Sequence, residues 1–318
     1  ARAAMLAVLD APGNPSSVHG AGRKARDGVE RARGEVAALI GAATERLVFT
    51  GGGTEANALG LAALSVDIDA LLVSAIEHDA VMQTACARTV PVEVWPVTAE
   101  GVADLAWLAA RLRRGDRVAA ALMLANNETG VIQPVAEAAA LLHGAGGRLH
   151  VDAVQAAGKI PVDLTALGAD TLALSAHKLG GPQGVGALAF ASGIRPTPLW
   201  RGGGQEQGLR PGTENVAAIA GFGAAAEAAQ ADLCDAATQA AWRDAAAARL
   251  QAAGARIIGE AVPRLPNTLC LAVPGWPSER QVMWLDLGGV QVSAGAACSS
   301  GKVRPSPVLE AMGEGALA

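Results

Sequence analysis

The sequence predicts an α/β protein with a mostly parallel central sheet flanked by helices, followed by a smaller α/β C-terminal domain. Five apolar runs of strand length each end in a polar or glycine-rich cluster, and alanine-rich stretches separate them. This alternation is typical of βαβ units in a parallel sheet. Beyond residue 255 the pattern changes to short strand-like pieces and one further helix. We therefore expect a large domain over residues 10–228 and a small domain over residues 229–318, which residues 1–9 join.

The predicted elements follow one another in regular order. Each strand leads into its cluster: 47–50 into 51–57, 71–76 into 77–79, 118–124 into 126–130, 148–151 into 152–155, and 171–175 into the segment that ends at 186. Helices are predicted over 21–40, 54–64, 79–88, 102–114, 134–146, 214–253 and 278–287, and short strands over 255–258 and 267–273. Residues 191–213 show no periodicity, which is typical of functional or interface segments. Because ligands bind at the carboxyl ends of strands in open α/β sheets, the clusters are predicted to form one site.

The composition excludes several classes of function. The chain has a net charge of −5 and no basic stripe, which argues against a nucleic-acid partner. No apolar run reaches the ~18 residues of a membrane span and no signal peptide precedes the first helix, so we expect a cytoplasmic protein without membrane contact. The four cysteines lack CxxC spacing, which disfavours zinc and disulfides. Cys86 and Cys270 have apolar neighbours and are predicted to be buried.

Lys178 carries the clearest chemical signal. It follows the apolar run 171–175 and opens onto the glycine-rich turn 180–182. Half-burying a lysine at such a strand end costs free energy of folding, because the charged amine loses water. The same loss of water favours the neutral amine, which Schiff-base formation with an aldehyde requires. A solvated structural lysine is the alternative interpretation, and the rest of the sequence decides between the two.

The cluster Gly51-Gly-Gly-Thr-Glu-Ala-Asn57 lies between a predicted strand and a predicted helix. Backbone amides of glycines at a helix N-terminus, together with the Thr54 hydroxyl, would form an anion site suited to a phosphate. The spacing is neither that of a P-loop nor GxGxxG, which disfavours nucleotide binding. An ordinary glycine turn with a threonine cap is the alternative.

Four other strand-end residues complement a Schiff-base lysine. Asp152 precedes Lys178 by one strand–helix–strand unit, and a carboxylate there can keep a pyridine nitrogen protonated, so that the ring acts as an electron sink. His78 can cover one face of such a ring, and Asn127 and Gln155 can donate to its phenolic oxygen. Each residue alone is well explained as a satisfied polar side chain at a strand end. Together with Lys178 they favour a cofactor site.

A set of motifs in fixed order resembles one family. The motifs are Thr-Glu-Ala-Asn, Glu-His, Asn-Asn-Glu-Thr-Gly, His-Val-Asp-Ala-Val-Gln, Ser-Ala-His-Lys-Leu-Gly-Gly-Pro, Arg-Pro-Gly-Thr-Glu-Asn and Ala-Cys-Ser-Ser-Gly. In this order they resemble the cysteine desulfurases, which are class-V aminotransferase-like, fold-type I pyridoxal phosphate enzymes. The lysine motif alone indicates only the superfamily, and the Cys298 loop narrows the resemblance to desulfurases. The match extends from residue 13 to residue 307.

The resemblance implies a role for each candidate residue. Lys178 would form the Schiff base with pyridoxal 5′-phosphate, Asp152 would pair with the ring nitrogen, and His78 would stack on the ring. Asn127 and Gln155 would flank the ring hydroxyl. The phosphate would be bound by Gly53, Thr54, Ser175 and His177, together with Thr213 of the partner subunit in a homodimer.

Cys298 would be the nucleophile that accepts sulfur. Its loop, residues 293–301, consists of small residues and turn formers, so the thiol can move toward a ligand, and the nearby Lys302 favours the thiolate. A buried structural cysteine is the alternative. The resemblance implies removal of sulfur from L-cysteine, which gives L-alanine and a Cys298 persulfide. The sulfur would pass to an acceptor protein or an iron–sulfur scaffold protein.

Other functions on the same scaffold stay open. A selenocysteine lyase or a cysteine sulfinate desulfinase would share these motifs, and relative rates on the three substrates would separate them. A shortened, non-catalytic paralogue would act only as a binding protein, and a yellow colour lost on borohydride reduction would disfavour it. The family also carries, beyond the cysteine loop, an arginine that grips the substrate carboxylate, and residues 308–318 contain no arginine.

Overall fold

The computed structural model describes residues 1–295 and 305–315 as an alternation of strands and helices. The helices are α1 (Arg2–Leu9), α2 (Gly20–Leu39), α3 (Gly53–Leu64), α4 (Asp79–Cys86), α5 (Leu105–Leu112), α6 (Val135–Gly144), α7 (Val216–Asp232), α8 (Ala236–Ala252), α9 (Ser278–Leu287) and α10 (Pro307–Ala311). The strands are β1 (Leu47–Thr50), β2 (Ala70–Ser74), β3 (Val92–Trp95), β4 (Val118–Ala121), β5 (Arg148–Asp152), β6 (Thr171–Ser175), β7 (Gly186–Phe190), β8 (Arg256–Ile257) and β9 (Leu271–Ala272). The predicted helices are all present, although the one over 214–253 is divided into α7 and α8.

One seven-stranded sheet has the strand order β1-β7-β6-β5-β4-β2-β3. The strands from β6 to β3 in this order are parallel neighbours, whereas β7 lies antiparallel between β1 and β6. Because β7 is antiparallel to both of its neighbours, β1 runs in the same direction as β6. The prediction of a mostly parallel sheet is confirmed, and all five predicted strands direct their carboxyl ends to one edge.

Two strands of this sheet are not predicted by the sequence patterns. The edge strand β3 is only partly buried, and β7 follows directly on the glycine-rich turn after Lys178. Gly186, the first residue of β7, is required by close packing, since a Cβ on it would lie 2.6 Å from the carbonyl carbon of Gly52 and 2.6 Å from the Leu174 oxygen. A glycine that looks like part of a turn therefore lets the β1–α3 connection lie against the sheet.

Helices cover both faces of the sheet. The apolar side chains of α2, α5, α6 and α7 pack in one cluster with one face, and those of α3 and α4 pack in a second cluster with the other face. Successive strand residues alternate between the two clusters, as a period of two requires: Leu47 and Phe49 belong to the first and Val48 to the second. Helix α3 contacts β5, β6 and β7. Its N-terminus therefore lies near the ends of the central strands.

The C-terminal part contains a separate two-stranded antiparallel sheet of β8 and β9. The strands predicted over 255–258 and 267–273 are thus present in shortened form, and the helix predicted over 278–287 coincides with α9. Helix α7 continues across residue 228, and the division into domains over 10–228 and 229–318 stays a prediction. Among the described helices we find none with the length and apolar character needed to cross a membrane.

Candidate active site

The candidate residues meet at the carboxyl edge of the sheet. Asp152 is the last residue of β5, and β6 ends in Ser175 just before the turn that carries Lys178. β5 and β6 are paired neighbours, so the two chemical groups follow adjacent strand ends. His78 follows β2 as the N-cap of α4, where its Nδ1 accepts a hydrogen bond from the backbone of Ala80 at 3.0 Å. His78 is also close enough to Asp152 for its charge to lower the pKa of that carboxyl.

The glycine cluster begins helix α3, as predicted. Gly52 is the N-cap residue and has a φ of +152°, a conformation that favours glycine. Gly53 packs tightly, because a Cβ on it would lie 3.0 Å from Val154 Cγ2 and 3.2 Å from Ser175 Cβ. Thr54 is exposed in the first turn. The N-terminal amides of α3, which attract anions, therefore lie directly beside Ser175.

A charged pair lies at the same helix end. Glu55 Oε2 accepts a hydrogen bond from the backbone nitrogen of Gly51 at 2.7 Å, and Glu55 Oε1 lies 3.1 Å from Arg210 Nε. The guanidinium offsets the charge of the carboxylate. The end of helix α3 consequently stays suited to an anion. The Glu55–Arg210 pair also connects α3 to the irregular segment 191–213.

Asp152 is buried, with 6% exposure, and both of its carboxylate oxygens have donors. Oδ1 accepts from the backbone nitrogen of Val154 at 2.9 Å, and Oδ2 accepts from Asn57 Nδ2 at 2.7 Å. Burial raises the pKa of Asp152, while these hydrogen bonds and the charge of His78 lower it. A buried, oriented acceptor of this kind is suited to a cationic nitrogen.

A second carboxyl, that of Glu77, lies near Asp152. Glu77 Oε1 accepts a hydrogen bond from the backbone nitrogen of Met123 at 2.6 Å. Its buried Oε2 has no hydrogen-bond partner within residues 1–295 and 305–315. Burial and the charge of Asp152 raise the pKa of Glu77 well above its usual value. The region therefore favours one negative charge rather than two.

Lys178 lies in a single 3-10 turn, Ala176–Lys178, directly after β6. Its side chain is exposed, so the prediction that it is half-buried is wrong. The turn carries it beyond the buried strand end at Ser175, whose Oγ lies 2.9 Å from His177 Nδ1. Partial burial, and then the charge of Lys178, lower the pKa of His177. The imidazole is therefore neutral at neutral pH and can share hydrogen bonds with Ser175.

The two neighbouring asparagines after β4 have different surroundings. Asn126 is buried: its Nδ2 donates to the carbonyl of Ile76 at 3.0 Å, and its Oδ1 accepts from the backbone nitrogens of Glu128 and Thr129, both at 2.9 Å. Asn126 therefore shapes the turn. Asn127, the predicted site residue, is only partly buried.

Gln155 has a partner that sequence analysis missed. Its Oε1 accepts a hydrogen bond from Lys159 Nζ at 2.8 Å. Burial lowers the pKa of Lys159 to about 8, and the charge of Lys178 adds to this effect, so the two lysines lie near each other. Since Lys159 occupies the amide oxygen of Gln155, the Nε2 group is the part of that amide left to donate elsewhere.

Thr213 is exposed and belongs to the irregular segment. Glu206 anchors that segment, because its buried carboxylate accepts from Arg33 at 2.7 and 2.8 Å and from the backbone nitrogen of Phe49 at 2.6 Å. Glu206 and Gln207 have φ values of 45° and 60°, which are uncommon outside glycine. The buried ion pair and the hydrogen bond to Phe49 therefore hold the segment against α2 and β1 and offset the strain of its backbone. That Thr213 serves a second subunit stays a prediction.

The cysteines predicted to be buried are more exposed than expected. Cys86, the last residue of α4, is exposed, so its predicted burial is wrong: this side of the last turn faces solvent. Cys270 is half-buried, and burial raises its pKa to about 11, with a further contribution from Glu128. Cys298 and Lys302 lie outside the described residues.

Sequence analysis also missed the polar side chains behind Asp152. Asn57 and His150 appear there only as parts of motifs, and Thr171 only as part of an apolar run. A signal was available, because His150 stands two positions before Asp152 and a strand period of two puts both on one face. A polar residue on the buried face of a central strand needs a partner. The partners of His150 come from two other elements, which no local pattern identifies.

Comparisons with known proteins cover nearly the whole chain. A family model described as aminotransferase class-V matches residues 3–316. The chain is 43% identical to a cysteine desulfurase of Cereibacter sphaeroides, over 94% of this chain and 79% of that protein. It is 40% identical to cysteine desulfurase IscS 1 of Archaeoglobus fulgidus, over 95% of this chain and 81% of that protein. The solved NifS-like protein from Rickettsia africae superposes with a TM-score of 0.89 at 32% identity, over 98% of this chain and 85% of that chain.

Proposed function

We propose that this chain removes sulfur from L-cysteine, from the premise that it belongs to the class-V aminotransferase family and, within it, to the cysteine desulfurases. One observation carries the proposal. A buried carboxylate, Asp152, and an accessible amine, Lys178, follow adjacent strands, and the N-terminus of α3 lies against the end of β6. A cation acceptor, an amine nucleophile and an anion site are what pyridoxal phosphate chemistry requires.

The residues at this edge fit pyridoxal 5′-phosphate. Asp152 would hold the ring nitrogen, since both of its carboxylate oxygens accept from neutral donors and it has no cationic partner of its own among those contacts. His78 would cover one ring face. When bound, the cofactor supplies an electron sink for the charge that develops at the substrate Cα. The raised pKa of Asp152 is consistent with this role, because a cationic nitrogen would offset the cost of its burial.

The phosphate would lie at the N-terminus of α3. Gly53 supports this assignment, since its lack of a side chain allows the helix end to lie against Ser175. Thr54, Ser175 and the neutral His177 would add hydroxyl and imidazole donors. Thr213 of the partner subunit would complete the phosphate site in a homodimer.

Two amides would donate to the ring hydroxyl. The contact between Lys159 and the oxygen of Gln155 supports this role, because it leaves the Gln155 Nε2 group as donor. Asn127 would serve the same oxygen from the turn that Asn126 shapes.

Lys178 would move the proton. Its Nζ would hold the cofactor aldehyde, and as a free amine it would take the proton from the substrate Cα. Exposure suits a side chain that must change position during the reaction, because its amine moves without a change in desolvation.

Cys298 would take the sulfur. Its thiolate would attack the substrate sulfur, so that a sulfur–sulfur bond forms as the carbon–sulfur bond of the substrate breaks. The electron pair of that bond remains with the substrate carbon, and protonation yields L-alanine. The Cys298 persulfide would then pass its sulfur to an acceptor protein for iron–sulfur cluster assembly or thiolation.

An assay of alanine and sulfide on wild type beside Cys298→Ala tests the proposal. We expect the variant to keep the cofactor and its yellow colour but to lose sulfide release from cysteine. Mass spectrometry after brief exposure to L-cysteine without reductant should find one added sulfur on the Cys298 peptide. The exposed Cys86 and Cys234 are the matched controls and should stay unmodified. Sulfide release by Cys298→Ala at the wild-type rate would indicate direct elimination and refute the assignment. If wild type turned over selenocysteine or cysteine sulfinate faster than cysteine, that compound would be the preferred substrate instead.

A further inference from the structure

A line of buried polar side chains continues behind Asp152, away from the candidate site. Thr171 Oγ1 and His150 Nδ1 lie 2.8 Å apart, His150 Nε2 and Asn57 Oδ1 lie 2.9 Å apart, and Asn57 Nδ2 lies 2.7 Å from Asp152 Oδ2. Thr171 and His150 are 0% exposed and Asn57 is 1% exposed. We refer to these three residues as the support chain.

The support chain joins three elements of the fold. Thr171 begins β6, and the sheet register places it opposite His150 on β5. His150 and Asp152 share one face of β5, since they stand two positions apart. Asn57 reaches both from the second turn of α3. The position of the Asp152 carboxylate is therefore set jointly by two strands and a helix.

Only one arrangement of hydrogens satisfies the support chain while Asp152 is ionised. A carboxylate only accepts, so Asn57 must offer its NH₂ group to Asp152 and its oxygen to His150. His150 must then carry a proton on Nε2 and accept at Nδ1 from the Thr171 hydroxyl. Burial lowers the pKa of His150 to about 3, so the ring is neutral and carries one proton. The support chain is thus complementary to the charged form of Asp152.

A glycine in α3 makes room for this imidazole. A Cβ on Gly60 would lie 2.5 Å from both Cε1 and Nδ1 of His150. Glycine is a poor residue for a helix interior, and here its lack of a side chain creates the slot that the ring occupies. Helix α3 therefore accommodates His150 in two ways, through the Asn57 hydrogen bond and through the missing side chain of Gly60.

From this geometry we infer that Thr171, His150 and Asn57 are positioning residues that hold Asp152 as an oriented anion for the ring nitrogen of the cofactor. The inference rests on the proposed function. Its physical basis is a competition: burial favours a protonated Asp152, which could not hold a cation. The Asn57 donor opposes burial, its orientation matches the Nε2-protonated tautomer of His150, and the Thr171 hydroxyl stabilises that tautomer by donating to Nδ1. A support chain that only filled space would have no effect on the charge of Asp152.

The test uses wild type and variants loaded with pyridoxal phosphate that is ¹⁵N-labelled at the ring nitrogen. The ¹⁵N chemical shift of the ring nitrogen reports whether that nitrogen is protonated. Titration of the protein without cofactor with pyridoxal phosphate measures the affinity for the cofactor. The variants are Asn57→Leu, the near-isosteric Thr171→Val, and Thr171→Ser, which restores the hydroxyl. Gln133→Met is the matched control, since Gln133 is also buried and its amide, in the part of the chain that the structure describes, forms hydrogen bonds with backbone atoms of Ala103, Gly101 and Val131 alone.

In Asn57→Leu we expect the ¹⁵N chemical shift to move toward the value of an unprotonated ring nitrogen. The affinity for pyridoxal phosphate should fall about tenfold, which is the effect of losing one hydrogen bond to a buried charge. Thr171→Val should show a smaller change in the same direction, and Thr171→Ser should return to wild type. Gln133→Met should lose thermal stability yet keep the wild-type shift and affinity.

Wild-type shift and affinity in both Asn57→Leu and Thr171→Val would overturn the inference and leave the proposed function intact. Should Asn57→Leu fail to fold, the near-isosteric Thr171→Val decides alone. A wild type that does not bind pyridoxal phosphate would overturn the proposed function and this inference with it.

Discussion

The Asp152 side and the Lys178 side of the candidate site are built in opposite ways. Asp152 is buried, and hydrogen bonds of 2.7 and 2.9 Å from Asn57 and Val154 hold both of its oxygens. Lys178 and His177 are exposed on a single turn, next to the equally exposed Thr54. The Asp152 side is therefore buried and hydrogen-bonded, whereas the Lys178 side is exposed to solvent.

The difference teaches how one site divides two tasks. A group that must hold a fixed charge benefits from burial, because hydrogen bonds in a low dielectric fix its position and its ionisation. An amine that must join a cofactor, leave it and move a proton needs freedom to rotate. The comparison therefore predicts that changes on the Lys178 side affect chemistry without affecting stability, whereas changes on the Asp152 side affect both.

The largest expected effect is that of Lys178→Ala. Release of alanine from cysteine should fall about 10³-fold or more, since a positioned acid–base group is removed and no other lysine of the described residues lies in a turn directly after a strand. The melting temperature of the protein without cofactor should not change. Borohydride reduction and peptide mapping should place a pyridoxyl adduct on Lys178 in wild type. An adduct on Lys159, or on the exposed control Lys24, would contradict the assignment.

Asp152→Asn should lower turnover about 100-fold, in line with the loss of one electrostatic stabiliser. In the protein without cofactor its free energy of unfolding should rise, because the change removes a buried charge next to Glu77. Chemical denaturation and a turnover assay measure the two effects. The matched control is Asp170→Asn, which removes a carboxylate just before β6, at the other edge of the sheet. Equal turnover in Asp152→Asn and Asp170→Asn would contradict a special role for the carboxylate of Asp152.

Thr213→Ala tests the exposed side in the assembled protein. If Thr213 serves the phosphate of the partner subunit, cofactor affinity should fall about tenfold, as for one hydrogen bond to a charged group. Light scattering should show a dimer in wild type and in the variant, since the buried pair of Glu206 and Arg33 still anchors the segment. A stable monomer that retains the cofactor would refute the composite site.

The last prediction concerns acid stability. The pKa of His150 is about 3 in the folded protein and 6.5 in an unfolded chain, so below pH 6.5 the unfolded state binds the proton and folding loses stability. The contribution is complete above pH 6.5 and declines toward pH 3. Between pH 7 and pH 5 it amounts to about 2 kcal/mol. Denaturation of the protein without cofactor should show this decline in wild type and a correspondingly smaller one in His150→Gln. An identical decline in both would contradict the neutral, buried ring.

Local pattern located most of the fold. Apolar runs bounded by polar clusters identified β1, β2, β4, β5 and β6, and periodicity identified the crossover helices, because both signals lie within a few consecutive residues. The unpredicted strands lacked that signal: β3 is only partly buried, with Glu93 and Val94 between its apolar ends, and β7 begins at Gly186 inside what looks like a turn. The antiparallel direction of β7 depends on its pairing with β1 and β6, which are distant in sequence.

The sequence alone was enough to predict which residues lie at the strand ends. Asp152, His78 and Lys178 each follow a predicted strand, and the carboxyl ends of parallel strands lie at one edge of a sheet. Their environments were decided only by the tertiary structure. Exposure of Lys178 and Cys86, the contact of Lys159 with Gln155 and the support chain behind Asp152 all depend on which elements pack together. Burial and hydrogen bonding between distant residues set the charge of a side chain, and a linear pattern carries no record of those distances.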